Sequence, residues 1–73
     1  MPRLPVLSGR EVMRALERLG FVQIGQRGSH VKLRRGSATV IVPDHREIRK
    51  GTFSAILQQA GISVDELLGK LAQ

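Results

Sequence analysis

The sequence predicts an α+β fold: a three-stranded antiparallel sheet covered on one face by helices, in the order α-β-β-β-α with an extra C-terminal helix. Three observations carry this. Apolar residues recur at helical spacing near both ends of the chain, and in the middle they alternate with polar ones. The breaks between the middle segments are glycine turns, too short for anything but antiparallel neighbours. A sheet that alternates in this way has one apolar face, and the helices must cover it. The 73 residues read as a single domain over 1–73. A chain this short buries only about 60% of the surface its unfolded form exposes.

The first helix opens at Ser8-Gly9-Arg10-Glu11, a capping box in which Ser8 and Glu11 satisfy each other's backbone amides. Leu7 and Val12 take the places of a hydrophobic staple. Val12, Ala15, Leu16 and Leu19 form one apolar stripe, and Gly20 ends the helix. Three strands follow. Phe21 to Gln26 is rich in strand formers, and Arg27-Gly28-Ser29 turns the chain. From His30 to Arg35, Val31 and Leu33 point one way while His30, Lys32 and Arg34 point the other. Arg35-Gly36-Ser37 turns again into Ala38 to Val42, which Pro43 ends. Asp44 to Lys50 is a polar connection. Phe53, Ile56, Leu57 and Ala60 mark the second helix, which stops at Gly61. The capping signal recurs at Ser63-Val64-Asp65-Glu66, ahead of a third stripe of Val64, Leu67, Leu68 and Leu71.

Charge is the informative part of the composition. Twelve Lys and Arg against six Asp and Glu give a net +6. The surplus sits in residues 1–36, where Arg3, Arg10, Arg14, Arg18, Arg27, Lys32, Arg34 and Arg35 face only Glu11 and Glu17. Such an imbalance points to a polyanion, and arginine, the commoner base here, fits phosphate with its planar fork. Arg10, Arg14 and Arg18 are spaced by four, so they line one flank of the first helix. Their mutual repulsion of a few tenths of a kcal/mol per pair is small beside what a phosphate backbone returns. Two Phe and neither Tyr nor Trp argue against platforms built on stacked bases. No cysteine is present, so disulfides and thiolate metal sites are excluded too. No stretch has the length of a signal-peptide core or a bilayer span, and the expected location is the cytoplasm, with no membrane partner.

Two histidines are candidates for chemistry. His30 leaves a glycine turn and shares a strand face with Lys32 and Arg34. A neutral imidazole can take a proton from a ribose 2′-hydroxyl while neighbouring cations stabilise charge on the phosphorane. RNA carries its own nucleophile, so no metal, cofactor or activated serine is required. Spacing alone fits a half-exposed strand histidine with no role at least as well. Ser29 reads as a turn former or phosphate donor. His45 reads as loop or support, with an acid partner in cleavage and a phosphate contact as its alternatives. Two histidines and scattered carboxylates show no metal-ligand spacing.

The predicted order is also that of double-stranded-RNA-binding domains. These meet RNA with the first helix, a strand turn and the start of the second helix. The corresponding places are the arginine row, Arg27-Gly28-Ser29-His30, and Arg49-Lys50-Gly51-Thr52, the last opening a helix N-terminus that favours anions. Expected RNA contacts are therefore Arg10, Arg14, Arg18, Arg27, Ser29, Lys32, Arg34 and Lys50. A non-catalytic RNA-binding module and a pure interaction protein would carry the same basic face.

Several stretches taken in order go further. Ser8-Gly9-Arg10-Glu11-Val12, Leu16-Glu17-Arg18-Leu19-Gly20-Phe21, Gln26-Arg27-Gly28-Ser29-His30, Val42-Pro43-Asp44-His45, Lys50-Gly51-Thr52 and Ile56-Leu57-Gln58-Gln59-Ala60-Gly61-Ile62-Ser63 together resemble the HicA family of mRNA-interferase toxins. The resemblance runs from Leu7 to Leu71, with Phe53 where the family usually has leucine; Met1 to Leu7 matches less well. It implies a double-stranded-RNA-binding-like fold, a catalytic histidine at His30, and cleavage of mRNA that stops translation. It also implies a HicB-type antitoxin, with the chain a monomer when free and part of a hetero-oligomer when neutralised. An inactive toxin homologue would keep the same motifs.

Overall fold

The first and third helices begin where their capping chemistry starts, whereas the second starts after Arg49 without a side-chain cap. In the computed structural model, which describes residues 6–71, α1 spans Gly9–Arg18, β1 Val22–Arg27, β2 His30–Arg35, β3 Ala38–Pro43, α2 Lys50–Ala60 and α3 Val64–Leu71. This is the expected order, third helix included. At α1 the Ser8 hydroxyl accepts from the Glu11 amide while Glu11 accepts from the Ser8 amide, completing the capping box. Ser63 and Glu66 repeat the arrangement ahead of α3. Such a cap is worth about 1 kcal/mol. Arg3 and most of the segment before Leu7 lie within residues 1–5, outside the described residues.

The sheet is a meander in the order β1-β2-β3, antiparallel throughout. Its register fixes two faces. Val31 pairs with Val42 and Leu33 with Val40 on the inner face, all four fully buried. His30 pairs with Pro43, Lys32 with Ile41 and Arg34 with Thr39 on the outer face. Against the inner face pack Val12, Ala15 and Leu16 of α1, Phe53, Ile56 and Ala60 of α2, and Leu67 of α3, in one apolar cluster. The stripes read from sequence supply this core, joined by Ile48 and Ile62 from the connections, while Leu19, Leu57, Val64, Leu68 and Leu71 are only partly buried against it.

The first strand departs from expectation. It starts at Val22 rather than Phe21 and runs on to Arg27, and every residue in it is exposed. Phe21, just before it, is buried. The helices rest on the β3 side of the sheet and leave β1 uncovered. A bulge between Gln23 and Gly25 takes Ile24 out of the pairing, so its alternation is broken as well. Val22, paired with Arg34 on the outer face, and Ile24, left out of the pairing by the bulge, lie on the surface at 62% and 51% exposure.

Candidate active site

The candidate site is built where three short backbone segments are stitched together. The β1–β2 hairpin has a two-residue loop, Gly28 and Ser29, with Arg27 paired to His30 directly across it. Gly28 has φ 58°, the left-handed region that a tight hairpin loop requires at its first residue and that glycine adopts without strain. His30 is therefore the first residue of β2. Because Val31 and Leu33 are drawn into the core, His30, Lys32 and Arg34 are held on the outer face, all exposed.

The chain leaving β3 returns to this loop. The Asp44 amide donates to the Ser29 carbonyl at 2.6 Å, and Ser29 Oγ lies 3.1 Å from His45 Nε2. On the other side the segment is tied to α1: the Gly9 amide donates to the His45 carbonyl at 2.8 Å, and the Ile48 amide to the Leu7 carbonyl at 2.7 Å. The Arg10 guanidinium approaches the Asp44 carboxylate at 3.6 Å, a largely exposed pair of little energetic weight. Hairpin tip, connection and first helix thus form one frame, with the serine preceding His30 hydrogen-bonded to the second histidine.

Two hollows open from this frame. One, of about 620 Å³, has His30, His45, Arg49 and Thr52 around it, with Ile41 and Gln59 along the β3–α2 seam. Gln59 Oε1 accepts from the Ile41 amide at 3.0 Å and so closes that edge of the sheet. The other, of about 680 Å³, runs over the outer face past Arg27, Lys32, Ile24 and Ile41. His30 borders both. A single strand of phosphodiester laid across this face would pass His30 with cations on either side, in a trough whose floor is partly apolar.

The other basic residues are divided between surface and structure. Arg10 stands at the site end of α1, beside Asp44, while Arg14 is exposed. Arg18 donates to the Lys70 carbonyl at 2.7 Å and so ties α1 to the C-terminal end of α3, where a cation is favoured. Arg34 donates to the Gly36 carbonyl at 2.8 Å. Arg35, counted in the basic surplus, lies 4.6 Å over the Phe21 ring and donates to the Leu19 carbonyl. Lys50 opens α2, exposed, but it is Arg49 just before it that borders the His30 cavity. Arg49 entered the sequence reading only as part of the Arg49-Lys50-Gly51-Thr52 run. Gln59 stands in the sequence only as part of the Ile56 to Ser63 stretch, and its role depends on where α2 meets β3.

Among the described residues no three His, Cys, Asp or Glu side chains come together as metal ligands, and no helix is long and apolar enough to cross a membrane. Compared with known families, residues 9–62 match the model described as HicA toxin of bacterial toxin-antitoxin. No curated protein matches the chain.

Proposed function

The chain belongs to the HicA toxin family, and from that premise we propose that it is an endoribonuclease that cuts mRNA, with His30 as the general acid/base. The observation that carries this reading is the setting of His30: exposed at a hairpin tip, bordering both hollows, on one face with Lys32 and Arg34 and across from Arg27. The imidazole removes the proton of a ribose 2′-hydroxyl as that oxygen attacks the adjacent phosphorus. A phosphorane forms, its extra negative charge met by the surrounding cations and by the Ser29 hydroxyl. The bond to the 5′-oxygen breaks, that oxygen takes a proton from water while His30 returns its own to the solvent, and the products carry a 2′,3′-cyclic phosphate and a 5′-hydroxyl. No cofactor or metal enters these steps.

Arg10, Arg14, Lys32, Arg34 and Lys50 supply affinity for phosphates on either side of the cut, with Lys50 reinforced by the start of α2. Arg18 contributes charge at the far end of the row. Membership of a toxin-antitoxin system implies an antitoxin partner. On this reading the antitoxin is of the HicB type, and it covers His30 and the arginine row together. The 73 residues act as one domain in the cytoplasm, monomeric until captured. The test is cleavage of a 5′-labelled RNA by protein free of contaminating nuclease, beside the His30→Ala variant. Cutting by the wild type alone supports the reading. RNA bound but left whole by the wild type would make the protein a non-catalytic binding module. Equal cutting by both would remove His30 from the mechanism.

A further inference from the structure

We infer that His45 is a positioning residue for this site: its Nε2–H holds the Ser29 hydroxyl so that the serine's one proton is aimed at a non-bridging oxygen of the scissile phosphate. The inference rests on the nuclease reading for what the hydroxyl does, but the hydrogen bond behind it stands by itself. Ser29 Oγ and His45 Nε2 are 3.1 Å apart. A serine hydroxyl has one proton to give, whereas a neutral imidazole nitrogen either donates or accepts according to its tautomer. If Nε2 accepted, the serine proton would be spent on the ring, and Ser29 would have nothing for an anion. A phosphoryl oxygen only accepts. Once phosphate occupies the site, the chain of bonds must run from Nε2–H to Oγ and from Oγ–H to the phosphate. Hydrogen bonds aligned in one direction reinforce one another.

Both ends of this relay are anchored before any ligand arrives. Ser29 is held through its carbonyl by the Asp44 amide, and His45 through its carbonyl by the Gly9 amide. The ring and the hydroxyl therefore cost little reordering when charge develops on the phosphorane, the condition under which such a donor is most effective. Both histidines border the same cavity, so the hydroxyl that His45 orients belongs to the residue immediately before His30.

Single-turnover cleavage by Ser29→Ala, His45→Ala, His45→Gln and the double alanine variant tests this. Removing a preorganised donor costs up to about 10²–10³-fold in rate. A hydroxyl left in place but unheld is expected to lose roughly 10- to 100-fold. The double variant should be no slower than Ser29→Ala, because the histidine acts only through the serine. His45→Gln should recover most of the rate, since its amide can donate to Oγ but cannot transfer a proton. Additive losses, or His45→Gln as slow as His45→Ala, would overturn the inference; the second outcome would make His45 a proton donor in its own right. Imidazole ¹⁵N spectra of the wild type with a 2′-deoxy, uncleavable RNA provide a readout that needs no activity. The inference requires His45 protonated at Nε2 and a changed Nε2 signal in Ser29→Ala. A bare Nε2 would refute it even in an active nuclease. An inactive wild type that still shows the relay would refute only the nuclease reading.

Discussion

The α-carbon of Gly9 lies against the Pro43 carbonyl, so close that a Cβ built on it would collide with that oxygen and crowd the α-carbon of Asp44. This contact seats the first turn of α1 on the segment that presents His45, and the Gly9 amide reaches the His45 carbonyl only because the two backbones meet. Gly9→Ala should therefore destabilise by at least the roughly 1–3 kcal/mol of an overpacked core. At about 4–8 °C per kcal/mol for a chain of this size, the melting temperature records it plainly. Gly69→Ala is the control. It sits in α3 with nothing within 4 Å of its would-be Cβ, and it should gain about 0.5–1 kcal/mol from helix propensity. If Gly9→Ala melts like the wild type, the helix is not seated as described.

His30→Ala should separate stability from activity. His30 is exposed while its strand neighbours Val31 and Leu33 are 1% exposed, so its removal leaves the core untouched. The variant should melt within about 0.5 kcal/mol of the wild type, as surface changes do. Leu33→Ala, by contrast, should cost about 2–5 kcal/mol. Cleavage should fall about 10²–10⁴-fold with RNA affinity little changed. Unfolding of His30→Ala would show that the residue is structural.

The fold was legible because its signals are local. Ser8 with Glu11 and Ser63 with Glu66 announce helix starts within four residues. The alternation through Val31 and Leu33 assigns the faces of β2, and with them the side on which His30 stands. Failures occurred where the outcome depends on what lies far away in sequence. Val22 and Ile24 have the character of a buried strand, yet they are exposed, because Val22 stands opposite Arg34 on the outer face and a bulge takes Ile24 out of the pairing. Arg35 looks like surface charge until Phe21 is found beneath it. The Ser29–His45 bond joins residues 16 apart in sequence, and no spacing rule for turns or helices connects them. Glycine at position 9 reads as part of a capping box, whereas its close approach to Pro43 is a tertiary requirement.

The arginine row should divide by function. Arg14→Glu should weaken RNA binding with little change in melting, because Arg14 is exposed. Arg10→Glu should do the same but also turn an attraction to Asp44 into a repulsion, at a modest cost for so exposed a pair. Arg18→Glu should lower stability more than either, since it puts a carboxylate against the Lys70 carbonyl at the end of α3. Thermal melts beside filter-binding titrations would show the split. Equal melting losses for Arg14→Glu and Arg18→Glu would contradict it.

Binding itself should be strongly salt-dependent. With about four to six phosphates neutralised, log K should fall against log salt with a slope of roughly −3 to −5. Arg14→Glu should make that slope shallower by about one or more. A flat response would mean that the +6 charge serves something other than a polyanion.

The substrate's own 2′-hydroxyl should be indispensable, and chelators should be without effect. The proposed chemistry uses an imidazole and cations, and the described residues bring no three metal-ligating side chains together. A protein that had to hold a catalytic Mg²⁺ would ordinarily offer carboxylates for it, whereas Asp44 stands beside Arg10. One 2′-deoxy nucleotide placed 5′ to the scissile phosphate should therefore abolish cutting at that position and nowhere else, with binding nearly unchanged. The 5′ fragment should end in a 2′,3′-cyclic phosphate, resistant to phosphatase until acid opens the ring, and the 3′ fragment should accept a label from polynucleotide kinase directly. A DNA version of the substrate should bind through its phosphates and remain whole. Cutting that EDTA stops, or that the deoxy substitution leaves intact, would mean that the attacking oxygen comes from water and that His30 has a different task.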